Sequence, residues 1–251
     1  MDVVIPAPDK IKVTSHRQYH TPDPLSPAAV APSPLDQFRL WFTEAQGAVL
    51  EPEAMSLSTV TANGVPSSRF VLFKELDGRG FVFYTNYESR KSKELSENPR
   101  AALAFYWREV HRQVRVVGRV EKVSKAQSEE YFKTRPLGSR LGAWASEQSA
   151  VVGEGEVKER LDKVKERFGI QDEERDKADI PLPDFWGGWR VVPEWVTQTS
   201  SYEDVSNIDD AHSEIEFWSG QPSRLHDRVR YLRAEGSSDD APQWKIDRIS
   251  P

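Results

Sequence analysis

Cysteine is absent from the 251 residues, which excludes disulfides, thiolate metal sites and cysteine nucleophiles together and fits a reducing compartment. No apolar run approaches the roughly 18 residues that a membrane-spanning helix needs. The first residues, MDVVIPAPDK, place an acid and two prolines where a signal peptide has a basic start and an apolar stretch, so the expected address is cytoplasmic, with no membrane partner. Positive charge is in deficit: the formal net charge is -6, the opposite of the basic footprint of a nucleic-acid binder. Several motifs are missing as well. No GxGxxG opens a helix, and there is no GxxxxGK[ST], HExxH or GxSxG. The usual dinucleotide cradle, P-loop, zincin site and nucleophile elbow are therefore excluded. His16 and His20 have i,i+4 spacing, but they lie in a proline-rich stretch where that spacing defines no helical face, so no metal site is expected.

What is present suits a soluble globular chain, with 37% hydrophobic and 29% charged residues. Residues 1–34 carry seven prolines; we expect residues 1–33 to form a flexible, extended arm and 34–251 a single domain. Ser33-Pro34 opens a helix that runs to Gly47, with Leu35, Phe38, Trp41, Phe42 and Ala45 on one face. The period then changes to two. Strands are expected at 56–62, 67–76, 81–86, 101–107, 112–123, 186–192, 214–218, 224–233 and 243–249, and the first two are joined by the turn 63-NGVP-66. Helices are expected at 89–99, 124–135 and 154–169, the last with Val157, Leu161, Val164 and Phe168 inward. The polar, acidic segment 197–212 reads as a surface insertion. The sum is mainly β with peripheral helices, and a barrel fits it.

Cations with oxygen-rich neighbours are the main chemical signal. Arg69 and Lys74 lie five apart on one strand and so face opposite ways. In 84-YTNYESRK-91, Arg90 and Lys91 sit just inside a helix N-terminus, where free N–H groups favour an anion; a phosphate and an ordinary charged first turn both account for them. Tyr131 and Arg135 are i,i+4 on a helix, with Ser139 expected on the loop beyond. That trio suits a phosphate, because a guanidinium engages two oxygens at once, though a surface Tyr–Arg contact also explains it. In 217-FWSGQPSRLHDR-228, strand alternation would put Arg224, His226 and Arg228 on one face. Such a face needs negative charge opposite, which a ligand would provide, unless it is simply solvated with Trp218 as core filler; taken singly, the solvated strand accounts for it.

These pieces, in order along residues 35–251, resemble the pyridoxamine 5′-phosphate oxidase family, which also acts on pyridoxine 5′-phosphate. The matching segments are 69-RFVLFK-74, 84-YTNYESRK-91, 105-FYW-107, 112-RQVRVVG-118, Tyr131-Phe132, Arg135-Pro136, 141-LGAWASEQS-149, 186-WGG-188, 215-IEFWSG-220, 224-RLHDR-228 and 244-WKIDRISP-251. The resemblance implies a split β-barrel that forms a homodimer with FMN at the subunit interface. It implies FMN contacts from Arg69, Val71, Leu72, Tyr84, Thr85, Arg90, Lys91, Gln113, Gln148, Ser149, Trp218 and Arg228. Lys74, Tyr131, Arg135 and Ser139 would hold the substrate phosphate, with Arg224 and His226 over the pyridine ring as the groups acting in catalysis. The implied reaction oxidises either B6 phosphate to pyridoxal 5′-phosphate with O2, releasing H2O2, and NH3 from the amine. In the family an arm closes over the substrate through an Arg and a Tyr three apart. Here 16-HRQY-19 supplies Tyr19, with His16 at the basic position and Arg17 one residue later.

Two other readings compete. A non-catalytic FMN-binding split-barrel protein would keep the flavin residues and lose the substrate set, yet that set is present. An oligonucleotide-binding β-barrel would use basic and aromatic residues, which leaves the acidic total unexplained.

Overall fold

The computed structural model describes residues 4–7, 10–13, 18–171, 178–193, 214–234, 236–238 and 241–251. The expected insertion at 197–212, and His16 and Arg17 of the arm, lie outside them. The arm is not uniformly extended, because β1 (Val4–Ala7) and β2 (Lys10–Val13) pair as an antiparallel hairpin.

Helix α1 (Pro34–Gln46) starts where proline's fixed φ suits the first helical position, and its Gly47 N–H closes back onto the last turn. After it, period-two segments fold into a ten-stranded sheet. Its strands are β3 (Ala54–Val60), β4 (Pro66–Leu72), β5 (Glu75–Leu76), β6 (Phe81–Asn86), β7 (Arg100–Trp107), β8 (Arg112–Lys122), β9 (Trp186–Val192), β10 (Glu214–Ser219), β11 (Asp227–Arg233) and β12 (Trp244–Arg248). All pairings are antiparallel. The order is β12-β11-β10-β8-β7-β3-β4, and from the β10 edge of β8 the sheet also runs on through β9, β6 and β5. The Lys74 amide then donates to the Val82 carbonyl at 2.9 Å, tying the end of β4 to β6 and curling the sheet into a barrel.

The barrel splits at β8. Arg112–Val117 pair with β10, whereas Arg119–Lys122 pair with β9 on the same edge. Gly118 sits at the fork. A Cβ there would meet the Val192 carbonyl oxygen at 2.3 Å, so only glycine lets the two strands diverge from one point.

Alternation sends Met55, Leu57, Phe73, Phe81, Phe83, Leu103, Phe105, Trp107, Val114 and Val116 inward, where α1 covers them with Phe38 and Trp41. A second core forms outside β9. There Trp186 meets Phe132 of α3 (Lys125–Thr134) and Leu137 and Leu141 of α4 (Leu137–Ala145). Helix α4 was not expected from sequence, since Pro136 and two glycines punctuate it. Its stripe Leu137–Leu141–Ala145 is nonetheless buried, and tertiary packing outweighs the glycine propensity. Helix α5 (Glu156–Phe168) spans its expected range between glycine caps, both in the left-handed region. Leu161, Val164 and Phe168 pack inward, but Val157, expected there too, is half exposed. The strand expected over 67–76 breaks after Leu72: the Phe73 amide still reaches the Glu53 carbonyl just before β3, and the Lys74 amide then turns to Val82 of β6.

Candidate functional site

One cluster forms where β6 runs into α2 (Arg90–Glu97). Ser89, the expected cap, instead donates its hydroxyl to the Asn86 carbonyl at 2.7 Å, so it braces the turn. The Lys91 ammonium is buried and donates to Thr85 Oγ1 (3.0 Å), Ser89 Oγ (3.2 Å) and Gln148 Oε1 (3.0 Å). All three partners are neutral. Burial first, and the nearby Arg69 charge second, push its pKa down to about 8. The Arg90 amide donates to Ser149 Oγ at 3.3 Å. Residues 85, 90, 91, 148 and 149, far apart in sequence, are thus brought together.

Beside them lies a cavity of about 350 Å3 lined by Tyr84, Thr85, Arg135, Ser139, Gln148 and Trp186, among others. Tyr131 stacks on Tyr84 with ring centroids 4.0 Å apart. The Arg135 guanidinium lies 4.7 Å over the Trp186 ring. Its Nη1 is buried without a hydrogen-bond partner, and burial lowers its pKa. Ser139 is in the first turn of α4, not on a loop as the sequence suggested. Lys74 is exposed at the β4–β6 junction and is not on the cavity wall. On β4, Val71 turns into the core while Leu72 points outward.

A half-buried guanidinium with one unpartnered nitrogen and a buried ammonium with only neutral partners are expensive unless an anion joins them. The donor set therefore fits phosphorylated ligands, a flavin mononucleotide among them.

The second cluster is elsewhere. Register places Gln113, Trp218 and Arg228 side by side across β8, β10 and β11 on the outer face of the sheet. Tyr106 on β7 continues the same row. The three-cation strand face expected at 224–228 does not exist. Arg224 ends a short 3-10 turn, Pro222–Arg224, and β11 begins only at Asp227. Ser223 (φ 56°) and Arg224 (φ 63°) are both left-handed, a strain of roughly 1–3 kcal/mol each that surrounding bonds must hold. Part of that hold comes from the arm, where Gln18 Oε1 accepts the Ser223 amide at 3.1 Å. Nor does a ligand supply all the negative charge, because Arg228 Nε donates to the buried Glu216 at 2.7 Å.

His226 Nδ1 accepts the Gln221 amide at 3.1 Å, which leaves the proton on Nε2. Burial, then the charges of Arg224 and Arg228, lower its pKa, so the ring is neutral at neutral pH. It packs against Trp218, with centroids 4.6 Å apart. Tyr19 of the arm stands edge-on to both rings and shares a hydrogen bond with Tyr106, 2.9 Å between hydroxyls. Among the described residues, no hydrogen bond, ion pair or ring contact joins this cluster to the first.

Sequence reasoning missed Glu94, Tyr106, Trp186 and Gln221. Glu94 was legible as the i,i+4 partner of Arg90. Trp186 stands in a matched segment, but its place beneath Arg135 depends on the packing of β9 against α3 and α4.

The fold is a split β-barrel, and its outer wall carries a cavity lined by Arg135 and by aromatic residues. The sequence profile of pyridoxamine 5′-phosphate oxidase matches residues 42–179, and that of the pyridoxine 5′-phosphate oxidase C-terminal dimerisation region matches 212–251. The chain belongs to the pyridoxamine 5′-phosphate oxidase family. It is 47% identical over 242 residues to the pyridoxine/pyridoxamine 5′-phosphate oxidase of Bordetella petrii, covering 96% of this chain and all of that one. It is 50% identical over 229 residues to that of Burkholderia ambifaria, covering 90% and 93%. Among solved structures, PhzG from Burkholderia lata, in complex with tetrahydrophenazine-1-carboxylic acid, aligns with a TM-score of 0.73 at 27% identity, covering 91% of this chain and 98% of that one. An FMN-binding, pyridoxamine 5′-phosphate oxidase-related protein from Nostoc punctiforme shares the fold, with a TM-score of 0.60 at 16% identity over 89% and 99%. No helix among the described residues is long and apolar enough to cross a membrane.

Proposed function

We propose that the chain oxidises pyridoxamine 5′-phosphate and pyridoxine 5′-phosphate to pyridoxal 5′-phosphate with FMN and O2, as a homodimer. Residues 34–251 act as one FMN-binding unit. The single observation that carries this reading is the cavity that Arg135 lines together with Tyr84, Trp186, Ser139 and the Lys91-bound Gln148. The matched dimerisation region spans β10 to β12, so a second copy would bring its Gln113–Trp218–Arg228 row and its Arg224–His226 turn to the first copy's cavity. That supplies what one chain keeps apart.

When bound, FMN supplies the redox chemistry, taking a hydride from the substrate C4′ and passing the electrons to O2 to give H2O2. The chain's residues do the rest. Thr85, Arg90, Lys91, Gln148 and Ser149 hold the flavin phosphate, with Arg69 behind them. Arg135, Ser139 and Tyr131 hold the substrate phosphate, which fixes the reacting carbon, and Lys74, off the cavity wall, joins them only by extending its side chain. Arg224 and His226 orient the pyridine ring, and Nε2–H makes His226 a neutral hydrogen-bond donor there. Packed aromatic walls exclude water, which strengthens each of these contacts. For the amine substrate, water converts the resulting imine to the aldehyde and ammonia.

The purified protein is expected to be yellow and to consume O2 when pyridoxine 5′-phosphate is added. A colourless protein that does not take up FMN would refute the flavin assignment. Bound FMN without O2-dependent turnover of either substrate would favour the non-catalytic reading.

The Lys91 value gives a pH dependence. Below about pH 8 its ammonium pairs with the phosphate dianion, and above that it becomes a neutral amine. The FMN Kd is therefore expected to rise as pH passes 8, while riboflavin, which lacks the phosphate, shows no such change. Fluorescence titration of the flavin-free protein on either side of pH 8 checks it. A flat FMN Kd would remove Lys91 from the phosphate site.

A further inference from the structure

Among the described residues, Glu94 is the one carboxylate buried within the cationic cluster, and the proposed function gives it no role. Its side chain is 5% exposed. Its two oxygens serve two different arginines, Arg90 Nε donating to Oε1 at 2.8 Å and Arg69 Nη2 donating to Oε2 at 3.1 Å. The hydroxyl of the fully buried Thr59 also donates to Oε2. The same Thr59 hydroxyl accepts from Arg69 Nη1 at 2.6 Å, which closes a ring of bonds around Oε2. Arg69 is anchored further by the Leu57 carbonyl at 3.1 Å and Ser67 Oγ at 2.5 Å. Its four terminal donors are therefore all engaged, with Glu94 its one charged partner among the described residues. Glu94 also lines a cavity of about 510 Å3 together with Arg90, Gln148 and Ser149. That cavity shares Gln148 with the smaller one beside Arg135.

A carboxylate in this place is paradoxical on charge alone. If the site holds a phosphate dianion, a fixed negative charge nearby weakens it by direct repulsion. Burial raises the carboxyl's pKa, but bonds from Thr59 and Arg90 and the Arg69 charge outweigh that and hold it below the usual range. The charge is thus present at neutral pH. What offsets the repulsion is order. Arg69 and Arg90 reach the cluster from β4 and α2, and each free guanidinium would lose side-chain entropy on meeting a ligand. A bridge between them removes that loss in advance.

We propose that Glu94 is a positioning residue for the flavin phosphate, holding Arg69 and Arg90 at fixed places on the rim of the anion site. The proposal rests on the flavin reading, and its test separates the two. Flavin-free wild type, E94A and E94Q are titrated with FMN and with riboflavin, and folding is monitored by near-UV circular dichroism. Positioning predicts that E94A raises the FMN Kd by about tenfold or more and leaves riboflavin binding unchanged. E94Q, which keeps one acceptor oxygen, falls between. At saturating FMN, kcat returns to the wild-type value, because Glu94 does not touch the reacting atoms.

Simple repulsion predicts the opposite sign, with both variants binding FMN more tightly. Tighter or unchanged FMN binding in either folded variant would overturn the proposal, as would an equal loss of riboflavin binding. If E94A does not fold, the isosteric E94Q alone decides the sign. Failure of wild type to bind FMN would instead refute the flavin reading.

Discussion

Replacing Arg135 by methionine is expected to raise KM for pyridoxine 5′-phosphate by about 100-fold, since two hydrogen bonds from a charged group to phosphate are lost. Flavin content should be unchanged, because in the proposed function the FMN phosphate falls to the Lys91 cluster instead. The unfolding midpoint should not fall. Arg135 Nη1 is buried without a partner, and a methionine keeps the apolar packing over Trp186 and Phe132 that the guanidinium now makes. Pyridoxine without its phosphate should be turned over equally poorly by wild type and variant. The pattern to look for in steady-state kinetics and thermal melts is therefore lost affinity at undiminished stability. An unchanged KM would remove Arg135 from the substrate site. A large drop in the midpoint would make it a structural residue instead.

The second large effect is on the fold. Phe38 is 1% exposed and touches five aromatic rings: Phe42, Phe73, Phe81, Phe105 and Trp107, with centroids 4.8–5.9 Å away. These rings come from α1, β6, β7 and the end of β4, so the cavity left by Phe38→Ala cannot close by moving one element. The expected loss is about 3–5 kcal/mol, or roughly 6–20 °C in Tm for a chain of this size. Denaturant titration of the flavin-loaded protein measures it. A loss under about 1 kcal/mol would mean that α1 is not seated in the barrel as described.

Much of this architecture was readable along the chain. Phe38, Trp41 and Ala45 mark the buried face of α1 by their spacing, and the alternation in Arg112–Lys122 assigns Val114 and Val116 inward with Gln113 and Arg115 outward. Those relations are local, so a short window shows them. Other features are not local. Leu137–Ala145 looks like a punctuated loop until Trp186 and Phe132 are present to bury its leucines. Arg224 and His226 look like strand residues because their alternation with Leu225 and Asp227 mimics a β period. The left-handed Ser223 and Arg224 break that period, and they are held by Gln18, more than two hundred residues earlier.

The same division applies to the candidate site. The residue types and the order of motifs determined by themselves the family, the expectation of phosphorylated ligands and most of the cations that would hold them. Only the tertiary structure decided how those cations are distributed. It put Lys91 among Thr85, Ser89 and Gln148 with no carboxylate, left Arg135 Nη1 without a partner, and answered Arg69, Arg90 and Arg228 with Glu94 and Glu216. It also kept the Gln113–Trp218–Arg228 row apart from the first cluster. The physical reason is that charge compensation acts through space over a few ångströms, and strand register and helix docking decide which residues come that close. Sequence spacing reports only neighbours on one element.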